Sequence, residues 1–345
     1  MAVLFFMLSG EHPTLPFAEL EAVLEAEGIK FETLQKLTQV SRIKADLTSA
    51  DIATTRCAMV KMSCLEVLHC QAEQHSIIQC VKESKLKELL SPDRSFAVRV
   101  KRVRGSAPHL DVEKIEREIG RIAVSQIRGI KVNLEKPTEM LVGVLTDNEF
   151  LLGLKLAEKP VKSFFQRQPR KRPFFHPAVL HPKLARCMVN LARTRRGQII
   201  LDPFCGTGSL LIEAGMIGCK VLGSDLKSRM VKGSKINLRY FGIEPMGLVV
   251  ADADKPPFTY ADRVITDPPY GRLATTAGQT TSRLLTEFFP AVGEILPKEG
   301  YLCLAAPRTI KVREIGENYG FKFIESYFVY VHRSLTREIA VFKAE

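Results

Sequence analysis

The sequence predicts an α/β fold, a doubly wound and mostly parallel sheet with an antiparallel C-terminal hairpin, preceded by an α+β region. Three observations carry this. From residue 183 onward, short apolar runs alternate with helix-length segments, the pattern of crossover units that build a parallel sheet. The last two apolar runs are joined by a short polar turn that leaves no room for a crossover, so they pair antiparallel. Residues 1–157 lack the alternation and mix β-type runs with two helical patterns.

Taken in order, "VLFFML" and "VKMSCLEVLHC" read as strands. Between them "FAELEAVLEAEG" repeats its apolar residues at helical spacing after Pro16 and stops at Gly28. Residues 1–90 are thus expected to form a small ferredoxin-like α+β part. Over 91–157 come a strand "SFAVRVKRV", an amphipathic helix from the N-cap Asp111 to Gly129, and the β-type runs "EMLVGVLT" and "EFLLGLKL". Residues 158–182 mix prolines and phenylalanines with Lys and Arg, which suits an ordered connector. Residues 183–345 then read as strands "QIILD", "KVLGSD", "GLVVAD", "DRVITD" and "GYLCLAAP" with helices between them. The hairpin "FKFIESYFVYVHR" and "TREIAVFKA" closes the chain.

A chain of 345 residues is long for one core, so two or three domains are expected. With 46% hydrophobic and 26% charged residues it reads as soluble and globular. The run "AVLFFML" is too short to span a bilayer and lacks the basic front of a signal peptide. A cytoplasmic protein with no membrane partner is the expectation. The eight cysteines never form C-x-x-C and show no paired metal spacing. They read as reduced thiols and no metal is expected, with a disulfide or metal cluster among Cys57, Cys64, Cys70 and Cys80 as the other reading.

The net charge of +12 is concentrated. Residues 155–196 hold 12 basic residues against one acid, whereas the flanking segments are nearly balanced. That is the footprint of a polyphosphate partner. Lys162, Arg167, Arg170, Lys171 and Arg172 are the candidate phosphate contacts, with Lys101, Arg102 and Arg104 secondary; a solvated basic linker is the plainer reading.

"ILDPFCGTGSLLIEAG" is a strand, a glycine turn and a helix. Gly206 and Gly208 allow close backbone approach to a ligand. The spacing is not G-x-G-x-x-G, and Asp202 at the strand end would repel a pyrophosphate. A ligand with a cationic portion and no phosphate fits better, and S-adenosylmethionine is such a ligand. Asp225, ending the next strand, would then accept from the ribose hydroxyls, and Asp252, ending the third, from the adenine amine. A single Asp after a strand is commonly a turn former, but three at successive strand ends define one cleft. Cys205 lies in this turn and reads as a packing residue.

The fourth strand runs into "DPPYG". Methyl transfer to an exocyclic amine is hindered because the nitrogen lone pair is delocalised into the ring. The Asp267 carboxylate and the Pro268 carbonyl can accept the amine hydrogens and aim that lone pair, with the prolines holding the carbonyl rigid. Tyr270 can stack on a base taken out of its helix, and Gly271 lets the chain leave tightly.

"DPFCGTGS" and "DPPYG" resemble the first and fourth motifs of class I methyltransferases that act on amino groups. "RPFFHPAVLHPKLARCMVNLA" is similar to the segment before the cofactor loop in archaeal and eukaryotic tRNA guanine-10 N2-methyltransferases. The helix and strands of 111–157 look like the second half of a THUMP domain, the RNA-binding module this family carries, and 91–157 is the expected THUMP core. The resemblance covers most of the chain.

It implies a Rossmann-like domain in which Asp202, Phe204, Cys205, Gly206, Thr207, Gly208, Asp225 and Asp252 hold S-adenosylmethionine, with Phe175 and His176 approaching from the connector. Asp267 and Pro268 would grip the amine, with Tyr270 near the base. His176 reads equally well as a structural histidine. The implied partner is tRNA, bound through its acceptor end, and the implied product is N2-methylguanosine or N2,N2-dimethylguanosine. An activating protein subunit is left open. The alternatives are a ribosomal RNA guanine N2-methyltransferase and a DNA adenine N6-methyltransferase. The 65 positions between Asp202 and Asp267 leave no room there for a DNA-reading domain.

Overall fold

In the computed structural model, which describes residues 1–160, 164–177, 179–269, 281–333 and 335–345, the chain divides into two units. The first is made only of residues up to 160, and the second of residues beyond 160 together with Glu21–Glu27 and Arg56–Ala58.

The chain begins with β1 (Ala2–Leu8), α1 (Leu15–Ala26), β2 (Phe31–Leu37), β3 (Val40–Ala45), α2 (Thr48–Arg56) and β4 (Val60–Gln71). Their sheet order, β2-β3-β1-β4, is the ferredoxin-like arrangement. After α3 (Gln74–Glu83) and α4 (Leu86–Leu89) come β5 (Ser95–Arg102), α5 (Val112–Gln126), β6 (Lys131–Val132), β7 (Glu139–Thr146) and β8 (Glu149–Glu158). These strands extend the same sheet, in the order β2-β3-β1-β4-β8-β7-β5-β6, because β4 pairs antiparallel with β8. A domain boundary at residue 90 would therefore fall inside a single eight-stranded sheet. The helix α5 starts at the expected cap, where the Asp111 side chain accepts from the Lys114 amide at 3.1 Å. Its Ile115, Ile119, Ile122 and Ala123 are buried at helical spacing against Phe96, Val98, Leu141 and Leu152 of the sheet.

The second unit contains α6 (Pro182–Leu191), β9 (Ile199–Asp202), α7 (Ser209–Ile217), β10 (Lys220–Asp225), α8 (Ser228–Tyr240), β11 (Gly247–Val250) and β12 (Arg263–Thr266). It continues with α9 (Thr281–Ile295), β13 (Tyr301–Pro307), α10 (Val312–Asn318), β14 (Phe321–His332) and β15 (Leu335–Ala344). The sheet order is β11-β10-β9-β12-β13-β15-β14. Strands β9 to β13 pair in parallel, whereas β15 pairs antiparallel with β13 and β14 forms the edge. This is the expected doubly wound sheet with its C-terminal hairpin. Both faces are covered, as a parallel sheet requires. Leu201, Val264, Leu302 and Leu304 pack with Leu285, Phe288 and Phe289 of α9, and the alternate residues Ile200, Ile265 and Cys303 are equally buried on the opposite face. No helix among the described residues is long and apolar enough to cross a membrane.

Candidate active site

The strand order reverses between β9 and β12, since β10 and β11 lie on one side of β9 and β12 on the other. A crevice at the carboxyl ends follows from that topology. Asp202 ends β9 there and is 2% exposed. Its Oδ1 accepts from the Thr266 hydroxyl at 2.8 Å and from the Phe204 amide at 3.1 Å. Burial, with smaller contributions from the charges of Asp267 and Asp225, pushes its carboxyl up to about 7. The Thr266 and Phe204 hydrogen bonds oppose that rise. A cation arriving at Asp202 would restore its charge.

The glycine turn is tied to β10. The Gly206 amide donates to Asp225 Oδ2 at 3.1 Å, and the Cys205 amide donates to the Ser224 carbonyl at 2.8 Å. Gly208 caps α7 at φ +83°, a conformation that disfavours side chains, and a Cβ there would stand 2.6 Å from Ser234 Oγ. The Cys205 thiol is buried and its pKa lies well above the ordinary value, first through burial and then through Asp202 and Asp225. It is a packing thiol. Thr207 is buried, and the Phe204 ring packs 5.6 Å from Phe288 of α9. Phe204 therefore offers the crevice its backbone more than its ring. Asp252 is exposed just beyond β11, beside Asp254, whose carboxyl is raised by burial and by Asp252.

Asp267 and Pro268 come directly after β12, Asp267 partly buried and Pro268 buried. Arg337 of β15 reaches Asp267, its guanidinium nitrogen 3.2 Å from Oδ2. Sequence reasoning missed Arg337. Tyr270, Gly271 and Lys162 lie outside the described residues.

The connector divides its charges. Arg172 is 5% exposed and donates to Ser209 Oγ at 2.7 Å and to the Arg167 carbonyl at 2.9 Å. Burial lowers its pKa to about 10. Arg167 donates to Glu213 of α7 at 2.7 Å, and Glu213, fully buried, also pairs with Arg186 at 2.9 Å. Arg172 and Arg167, which the sequence offers as phosphate contacts, are thus both engaged by groups of the second unit. Arg167 turns inward because the buried Glu213 carboxylate requires paired cations, and Arg172 turns inward onto Ser209 and the Arg167 carbonyl. The signal in the sequence was Glu213 itself, an acid within the apolar "SLLIEAGMI". Arg102 is likewise engaged, donating to the Leu110 carbonyl. Arg170, Lys171, Lys101 and Arg104 are exposed.

Phe175 is 45% exposed and His176 partly buried. Their neighbour Phe174 is clamped to α8. Asn237 accepts from the Phe174 amide and donates back to its carbonyl, both at 2.9 Å, and donates to the Thr207 carbonyl at 3.0 Å. The Phe174 ring lies over Gly233, where a Cβ would meet it at 2.0 Å. Asn237, also unforeseen, thus joins the connector to the glycine turn.

Among the described residues no group of three or more His, Cys, Asp or Glu is arranged to hold a metal, and none of the eight cysteines is in a disulfide. Acids, glycines and peptide groups gather at this end of the sheet. A phosphate-free ligand with a cationic end and a ribose fits that set.

Comparison with known proteins agrees with this geometry. Residues 71–155 match the THUMP domain family and 169–338 the family described as "RMKL-like, methyltransferase domain". The THUMP match begins within β4, ahead of residue 91. The chain is 38% identical over 343 residues to the tRNA (guanine(10)-N2)-dimethyltransferase of Methanothermobacter thermautotrophicus, covering 97% of each chain. Among solved structures, TrmN from Thermus thermophilus is similar in fold, with TM-score 0.56 and 21% identity over 99% of this chain and 100% of that one. SMU.472, solved in complex with SAH, gives TM-score 0.56 at 16% identity over 100% and 99% of the two chains. The chain belongs to the tRNA (guanine(10)-N2)-methyltransferase family, with a THUMP domain ahead of its methyltransferase domain.

Proposed function

We propose that this protein transfers methyl groups from S-adenosylmethionine to the exocyclic N2 of guanine 10 in tRNA, forming N2-methylguanosine and, on a second transfer, N2,N2-dimethylguanosine, in the cytoplasm. The observation that carries the reading is the Asp267-Pro268 pair at the end of β12, adjacent to the buried Asp202 at the switch point. The relative named above supports the substrate, and the neighbour solved with SAH supports the cofactor.

Asp202 would face the cationic end of the cofactor, Asp225 and Asp252 its ribose and adenine, and the 206–208 turn its backbone-close side. When bound, the cofactor supplies an electrophilic methyl on a positively charged sulfur. The remaining work falls to this chain's residues. Asp267 and the Pro268 carbonyl accept the amine hydrogens, drawing the nitrogen toward tetrahedral geometry and pointing its lone pair along the line of transfer. With the lone pair so aimed, the nitrogen would take up the methyl that the bound cofactor supplies, the bonding electrons staying with its sulfur, and the Asp267 carboxylate or water would receive the amine proton released. Arg170 and Lys171, exposed on the connector, and Lys101 and Arg104, exposed on the first unit, are the phosphate contacts that the reading retains.

Nucleoside mass spectrometry of an unmodified tRNA transcript, incubated with the protein and S-adenosylmethionine, tests the proposal. N2-methylated guanosine mapping to position 10 is expected. Methyladenosine alone, or methylation elsewhere in the tRNA, would overturn it.

A further inference from the structure

The grip of Arg337 on Asp267 joins two residues 70 positions apart. Arg337 lies on β15 opposite Pro307, the last residue of β13, and β13 is the neighbour of β12. Its side chain therefore crosses the end of one strand to reach the carboxylate at the end of the next. Both side chains are mostly withdrawn from water, at 15% and 18% exposure. Two further acids share the crevice, and the charges of Asp225 and Asp267 both act on Asp202. An ionised carboxylate in that company needs a counter-charge, and Arg337 supplies one at hydrogen-bond distance.

We infer that Arg337 is a positioning residue for the methyl acceptor: by holding Asp267 Oδ2 it fixes the plane of the carboxylate and keeps that group in its accepting form for the target amine. The inference rests on the reading of Asp267 given above. A carboxylate at a strand end can rotate about its last side-chain bond, and any rotation misdirects the acceptor. A fixed guanidinium removes that freedom before the substrate arrives. An amide at position 267 would be neutral and would have no charge for Arg337 to hold. The two residues are thus predicted to act as one unit, and their substitutions not to add.

The test is a double-mutant cycle on single-turnover methylation of tRNA, with S-adenosylmethionine affinity and melting temperature measured on every variant. Arg337→Gln is expected to slow transfer at saturating substrates at least tenfold while leaving cofactor affinity within twofold. Arg337→Lys should recover part of the rate, because it restores the charge without the planar fork. In an Asp267→Asn background, Arg337→Gln should cause little further loss. A near-normal rate in Arg337→Gln, or an equal loss in both backgrounds, would overturn the positioning role while leaving the proposed function intact. A wild-type protein that methylates no guanine would overturn both.

Discussion

The strand-end crevice and the connector are both rich in charge, yet they differ in how a sequence reveals them. In the crevice the backbone decides where each acid goes. A parallel sheet delivers Asp202, Asp225 and Asp267 to one end because the first two close a strand and the third directly follows one, whatever their neighbours are. In the connector no regular element decides. Residues 165–167 and 169–171 form only single 3₁₀ turns, and adjacent cations part company: Lys171 stays outside, while Arg172 turns in to Ser209. Periodic structure makes position legible, whereas irregular structure makes it depend on partners far away in sequence.

The largest expected effect tests the crevice. Asp267→Ala should slow methyl transfer roughly 10²- to 10³-fold, the scale of losing one preorganised polar group, with S-adenosylmethionine affinity largely kept. Rapid-quench kinetics beside calorimetric titration would read both. A mutant with a near-normal rate would remove the acid from the mechanism.

Asp202 should show the cost of a buried acid. Its carboxyl is raised to about 7 from 3.8, so between those values the folded protein holds a proton that the unfolded chain releases. Its contribution to stability is therefore greatest below the unfolded value and is lost as pH rises to about 7, by at most about 4 kcal/mol. Asp202→Asn should flatten that decline in chemical denaturation of the cofactor-free protein and weaken cofactor binding. In the wild type, binding should weaken as pH falls below about 7, because the carboxyl must lose its proton to face a cation. An Asn variant with unchanged binding and an unchanged stability profile would contradict the assignment.

The connector should split under mutation. Arg172→Ala leaves Ser209 and the Arg167 carbonyl without their buried donor, and should destabilise the protein by about 2–4 kcal/mol without altering the salt dependence of tRNA binding. Asn237→Ala should lower the melting temperature and also weaken the cofactor, since Asn237 holds both Phe174 and the Thr207 carbonyl. The smallest effect belongs outside. Arg170→Ala and Lys171→Ala should leave the melting temperature alone and reduce the slope of log affinity against log salt by about 0.7–0.9 each. Equal behaviour of Arg172 and Lys171 in these two assays would erase the distinction.

Much of the second unit was legible beforehand, because strands such as "KVLGSD" end on an acid that marks the carboxyl end of the sheet. The first unit was less so. The hairpin of β2 and β3 went unseen, since the apolar residues of "FETLQKL" fall at every third position instead of alternating; in the second unit, α10 is only seven residues long. The pairing of β4 with β8 joins residues from Gln71 and Glu149 to Met62 and Glu158, far apart in the chain, and leaves no local mark, which is why a boundary at 90 looked natural. Arg337 escaped for the same reason. Within "LTREIAVFKA" nothing distinguishes it from a solvated edge residue until the order β12-β13-β15 brings it beside Asp267. Helix α6 was hidden by the prolines around it, although Pro182 sits at its first turn, where the missing N–H costs nothing.

The central claim is that the end of β12 grips an exocyclic amine. The most direct measurement is methyl incorporation into two tRNA transcripts that differ only at position 10, one with guanine and one with inosine, which keeps the purine ring and lacks that amine. The account predicts N2-methylated guanosine from the first and no incorporation at position 10 of the second. Equal incorporation at position 10 of both would show that another atom is the acceptor and that Asp267 and Pro268 have a different role.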